Sequence, residues 1–186
     1  MNSSAFIRKN FRLTVLASVV ALGAFGASNS FAAAATTSAS STVIEPIAIA
    51  LGTDLNFGRF APGAGGSVTV STSGARTGSN VILSSVDVGT VSAARFDVTG
   101  DNNATYSITW DAAAELSDSV EAGGNTMALA IFSDLTAGNA ITGEVTAGTL
   151  GTGGTQSIYL GGTLTVAGTQ TAGTYSGDVT ATVEYN

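Results

Sequence analysis

Ala172-Gly173-Thr174-Tyr175-Ser176-Gly177-Asp178-Val179-Thr180-Ala181-Thr182-Val183-Glu184-Tyr185 is the stretch that decides the fold. Tyr175, Val179, Ala181, Val183 and Tyr185 fall on one side of an extended chain, with Ser176, Asp178, Thr180, Thr182 and Glu184 on the other. One side is suited to a core and the other to water. A strand that runs almost to the last residue is protected from fraying only by pairing, so it is expected to be a structural element of a sheet.

The other end of the chain reads as a secretory signal over residues 1–32. Arg8, Lys9 and Arg12 precede an apolar run, Leu13 to Phe25, and Ser30-Phe31-Ala32 offers small residues for cleavage after Ala32. That run falls short of the roughly 20 residues that span a bilayer, and no later stretch comes closer, so no membrane span is expected in the mature form. The expected route is secretion, with the periplasm in transit and then the cell surface or extracellular space. Behind the signal stand Arg59, Arg76 and Arg95 against thirteen acids, a formal charge of −10 with no lysine and no histidine. Such a surface repels phosphate backbones, and nucleic acid is set aside as a partner.

Cysteine is absent, so neither disulfides nor thiolate metal sites hold the fold. Without His, Cys or a mature Lys there is no Ser-His-Asp or Cys-His triad, no Ser-Lys dyad and no phosphate-loop lysine. Asp97, Asp101, Asp111, Glu115, Asp118 and Glu121 are the carboxylates left for acid/base work or calcium. Their strand-face and loop positions suit solvated acids better, so no catalytic residue, cofactor or metal is assigned. Tyr106 and Trp110 share a strand face and could form a glycan platform, although their spacing equally suits packing between sheets. Gly151-Thr152-Gly153-Gly154 reads as a hairpin turn rather than a phosphate cradle.

Residues 33–41 form a flexible Ala/Ser/Thr leader. In Thr42-Val43-Ile44-Glu45-Pro46-Ile47-Ala48-Ile49-Ala50-Leu51, the residues Val43, Ile47, Ile49 and Leu51 lie in phase, and Pro46 confines the strand to an edge. Over 52–186, short two-faced runs recur between turn signals: Leu55–Gly58, Ser67–Ser71, Val81–Leu83, Arg95–Thr99, Tyr106–Trp110, Met127–Phe132, Gly143–Val145, Ser157–Leu160 and Thr163–Val166. Ala112 to Leu116 has a helical look but is too short to matter. The expectation is an all-β, immunoglobulin-like antiparallel β-sandwich of about seven or eight strands.

Leu55-Asn56-Phe57-Gly58, Ala75-Arg76-Thr77-Gly78, Phe96-Asp97-Val98-Thr99-Gly100, Leu160-Gly161-Gly162-Thr163-Leu164 and the closing Gly-Thr-Tyr-Ser-Gly to Val-Glu-Tyr resemble, in that order, a family of small secreted bacterial proteins known only as a domain of unknown function. More distantly, both ends resemble subunits of archaic chaperone–usher pili and spore-coat-U-type proteins, many of which carry the cysteines this chain lacks. That resemblance implies a sandwich lacking one strand, completed by the N-terminal ribbon of a like subunit in a head-to-tail polymer. It implies a periplasmic chaperone and an outer-membrane usher as further partners. Val43, Ile47, Ile49 and Leu51 would be the inserting residues. The alternative is a self-complete secreted monomer acting as a carbohydrate-binding or coat component.

Overall fold

The computed structural model describes residues 33–112, 115–118 and 125–186; the expected signal and Glu121 lie outside the described residues. The chain divides at Thr42 and Val43, and residues 33–42 form neither helix nor strand. From Val43 onward the protein is all-β, with no helix among the described residues.

Fourteen strands follow in order: β1 (Ala48–Thr53), β2 (Asn56–Phe57), β3 (Phe60–Ala61), β4 (Gly66–Val70), β5 (Arg76–Ser79), β6 (Ile82–Leu83), β7 (Val91–Ser92), β8 (Ala94–Thr99), β9 (Thr105–Ala112), β10 (Glu115–Ser117), β11 (Thr126–Asp134), β12 (Ala147–Thr149), β13 (Thr155–Val166) and β14 (Val179–Tyr185). Among the described residues this count exceeds the seven or eight expected, because β2, β3, β5, β6, β7, β10 and β12 have only two to four residues each; the seven longer strands, β1, β4, β8, β9, β11, β13 and β14, coincide with runs that the sequence pattern marks.

β13 is the hub of the larger, seven-stranded sheet. Its first half pairs with β8 and its second half with β4, while β11 lies along its opposite edge. β1 extends the sheet beyond β8, β5 beyond β4 and β10 beyond β11, all antiparallel. A three-stranded sheet, β12-β9-β14, supplies the second layer, and the ribbons β2–β7 and β3–β6 complete the set. Ala94, Phe96, Val98, Ile158 and Leu160 from the large sheet meet Tyr106, Ile108 and Leu150 in one apolar cluster. Phe57, Val68, Val70, Met127, Leu164 and Val166 make a second cluster beside it.

Three departures from the sequence pattern have local causes. Ser157–Leu160 and Thr163–Val166 are one strand, because Gly161 and Gly162 serve contact rather than turning. A Cβ on Gly161 would stand 2.3 Å from the Phe132 ring and 2.4 Å from the Val70 carbonyl oxygen. Gly143–Val145 is not a strand. Ser133 captures it instead, its N–H donating to the Gly143 carbonyl at 2.9 Å and its Oγ accepting from the Val145 N–H at 2.9 Å. Of Ala112 to Leu116, which has a helical look, residues 113–114 lie outside the described residues, while Ala112 ends β9 and Leu116 lies in β10 opposite Met127 of β11, half-buried against the second cluster.

Candidate functional site

The ribbon behind the leader occupies an edge, as Pro46 dictates, but the edge belongs to its own domain. Among the described residues β1 pairs with β8 alone, from Ala48 opposite Thr99 to Thr53 opposite Arg95, and its register breaks between Leu51 and Thr53. The strand begins at Ala48 rather than Thr42 because Pro46 has no N–H to give a ladder. Ile47 and Ile49 are half-buried against the Phe96–Val98 cluster. Val43, Ile44 and Leu51 are 93, 54 and 59% exposed. Of the four expected inserting residues, two therefore cover part of their own core and two lie open.

β14 forms the facing edge. It pairs with β9 from Val179 opposite Ala112 to Tyr185 opposite Tyr106, and among the described residues no strand lies along its other side. Val179, Ala181 and Val183 turn toward the first cluster yet remain only half-buried. Tyr175 departs from this set. The chain between them bridges Ser176 to Ser117, and Tyr175 packs against the second cluster, with its hydroxyl donating to the Thr171 carbonyl at 2.8 Å and accepting from Gln170 Nε2 at 2.8 Å.

Tyr185 joins the two edges. Its hydroxyl accepts a hydrogen bond from the Asp101 N–H at 2.6 Å and donates one to the Glu45 carbonyl at 2.8 Å, just ahead of β1. Gly100 leaves the room, since a Cβ there would lie 2.2 Å from that hydroxyl oxygen. The alternation placed Tyr185 on the apolar side but was blind to its hydroxyl. The pairing of a Gly-ended Phe-Asp-Val-Thr run with a Tyr at the chain's end was the available signal. Arg76 was similarly hidden. Its guanidinium donates to the Phe57, Arg59 and Ser84 carbonyls at 3.0, 3.1 and 3.3 Å, fastening the β2–β3 segment to the end of β6.

Tyr106 and Trp110 lie on one face of β9, directed inward. Tyr106 is fully buried and offers no ring face to a sugar. Trp110 meets Phe96 edge to face at a centroid distance of 5.9 Å, and its Nε1 donates to the Val145 carbonyl at 3.0 Å. The Tyr106 hydroxyl is buried without a hydrogen-bond partner, and burial raises its pKa.

Several carboxylates are engaged by neighbours. Asp97 accepts from Ser157 Oγ at 2.8 Å and Arg95 Nη2 at 3.0 Å, Asp118 binds Asn125 through both oxygens, and Asp87 pairs with Arg59. Asp97, Thr99, Gln156, Ser157 and Tyr159 line an open cleft of about 630 Å³ beside the Leu135–Ala137 loop. Among the described residues no group of three or more His, Cys, Asp or Glu could hold a metal ion. No helix of the described residues is long and apolar enough to cross a membrane.

No curated protein matches the chain. The family described as "Domain of unknown function (DUF4402)" matches residues 47–185, from the residue before β1 to the tyrosine that fastens it. The chain belongs to that family.

Proposed function

We propose that this protein is a non-enzymatic secreted structural subunit of a bacterial surface fibre, assembling by exchange of β1 between copies. In that exchange the ribbon carrying Val43, Ile47, Ile49 and Leu51, with β1 at its end, moves to the β8 edge of the next copy. The observation that carries this reading is the corner where both sheets end. Among the described residues β1 has one ladder partner, a broken register and a half-open apolar side, while β14 opposite pairs with β9 alone.

An edge strand of this kind is held weakly, and its neighbour is a template for another chain. Strand addition in trans repeats the same main-chain hydrogen bonds and the same pockets for alternate side chains, so it needs no new interface. Only Asp54 and Leu55 separate β1 from β2, which makes them the hinge. A head-to-tail exchange does not close on itself and grows into a filament. While β1 is in transit, the bare β8 edge is an aggregation hazard. A periplasmic chaperone to cover it and an outer-membrane usher to order the exchange are the partners this mechanism calls for.

A second reading has its own support. Because β1 pairs in cis and Tyr185 fastens the chain ahead of it, the alternative is a self-complete secreted monomer, acting as a carbohydrate-binding or coat component. Light scattering and electron microscopy of residues 33–186 at rising concentration separate the two. The fibre reading expects multimers and filaments that grow with concentration and time. A mass fixed at one chain under all conditions establishes the monomer.

A further inference from the structure

We propose that Tyr185 is a latch on β1, holding the ribbon that leads into the strand in its own domain and thereby setting how readily the strand is released to another copy. The release step rests on the fibre reading; the latch itself does not.

Tyr185 reaches back to the segment just ahead of β1. The Tyr185 hydroxyl is bonded on both sides, accepting from the Asp101 N–H and donating to the Glu45 carbonyl. The Asp101 N–H fixes the direction of the hydroxyl, so its proton is left aimed at Glu45. Gly100 keeps the space beside it clear. Glu45 precedes Pro46, and neither residue belongs to the β1 ladder, which begins at Ala48. Among the described residues, Ile47 adds an apolar contact to this hold on the ribbon ahead of the ladder, while Val43 and Ile44 are exposed. The β1 ladder itself is short and broken near Leu51. A strand detaches from its free end inward, so the bond at Glu45 must open before the Ala48–Thr99 pairing can peel. A single hydrogen bond at the free end of an edge strand therefore acts on the whole strand.

Tyr185→Phe removes the hydroxyl and keeps the ring. Native-state hydrogen exchange should show the amides of residues 48–53 opening several-fold to about tenfold faster, the scale of one lost hydrogen bond. The β11–β13 amides around Ile131 and Gly162 should be unchanged. Gly100→Ala provides an independent variant, displacing the hydroxyl through the added Cβ while leaving Tyr185 in place, and should open β1 in the same way. If either folded variant leaves residues 48–53 as protected as in the parent chain, the latch is wrong. Multimer formation followed by light scattering tests the rest. Faster opening with faster multimer growth supports both proposals, whereas faster opening with no growth upholds the latch and removes the fibre reading.

Discussion

Replacing Arg76 with methionine keeps an apolar stem of similar length and deletes the guanidinium that three carbonyls share. Two of those bonds, to Phe57 and Ser84, are partly buried and the third, to Arg59, is exposed. A hydrogen bond to a charged donor contributes about 1.5–3 kcal/mol when buried, and carbonyls that regain water recover part of that. Discounting the exposed bond, Arg76→Met should cost about 2–4 kcal/mol. For a domain of this size that is a fall in Tm of roughly 6–12 °C. Arg76→Lys should recover only a minor share, because one ammonium cannot reach three carbonyls arranged for a planar fork. Equilibrium urea unfolding is the assay, read by the chain's single tryptophan, Trp110, which packs on Phe96 and reports the core directly. An Arg76→Met protein within about 0.5 kcal/mol of the parent would refute the reasoning, since that is the scatter of an uninvolved surface substitution.

Tyr106→Phe should stabilise the domain by about 1 kcal/mol in the same assay, because it removes a buried hydroxyl that has no partner while keeping the ring. Tyr106 also governs alkaline stability. Its folded pKa is raised by burial above the ordinary 10.0, so its contribution is complete below about pH 10 and is lost as pH rises beyond, where the unfolded chain ionises first. Stability measured between pH 9 and 12 should decline less steeply in Tyr106→Phe. Gly161→Ala should destabilise by about 1–3 kcal/mol through collision with Phe132 and the Val70 carbonyl, detectable as a lower urea midpoint with unchanged slope. Val43→Ser, at a position 93% exposed, should leave the midpoint within about 0.5 kcal/mol of the parent.

The alternation that runs to Tyr185 correctly marks a paired strand, and Pro46 correctly marks an edge, because both depend on local backbone rules. β8 is equally plain, with Ala94, Phe96 and Val98 inward and Arg95, Asp97 and Thr99 outward. What could not be read locally is what glycine, tyrosine and arginine do at a distance. Gly161 and Gly162 look like a turn until Phe132 and Phe57 arrive from other strands to fill the space they leave. Arg76 looks like a surface charge until three remote carbonyls converge on it. The partner of β1 is illegible for a different reason. Pairing in cis and pairing in trans satisfy the same residues in the same register, so the pattern of Val43, Ile47, Ile49 and Leu51 describes an edge strand without naming its host.

The absence of native cysteine makes that host directly measurable. Ala48 faces Thr99 in the β1–β8 ladder and both are exposed, so a bridge between them reports the pairing without entering the core. An isotope-labelled chain carrying Ala48→Cys is mixed with an unlabelled chain carrying Thr99→Cys, held under assembly conditions, then oxidised, digested and analysed by mass spectrometry. Strand exchange predicts abundant 48–99 bridges joining a labelled to an unlabelled peptide. Should the double variant, with both cysteines in one chain, form the bridge only within single chains while the mixture yields none between them, β1 never leaves its own domain and the assembly account is contradicted.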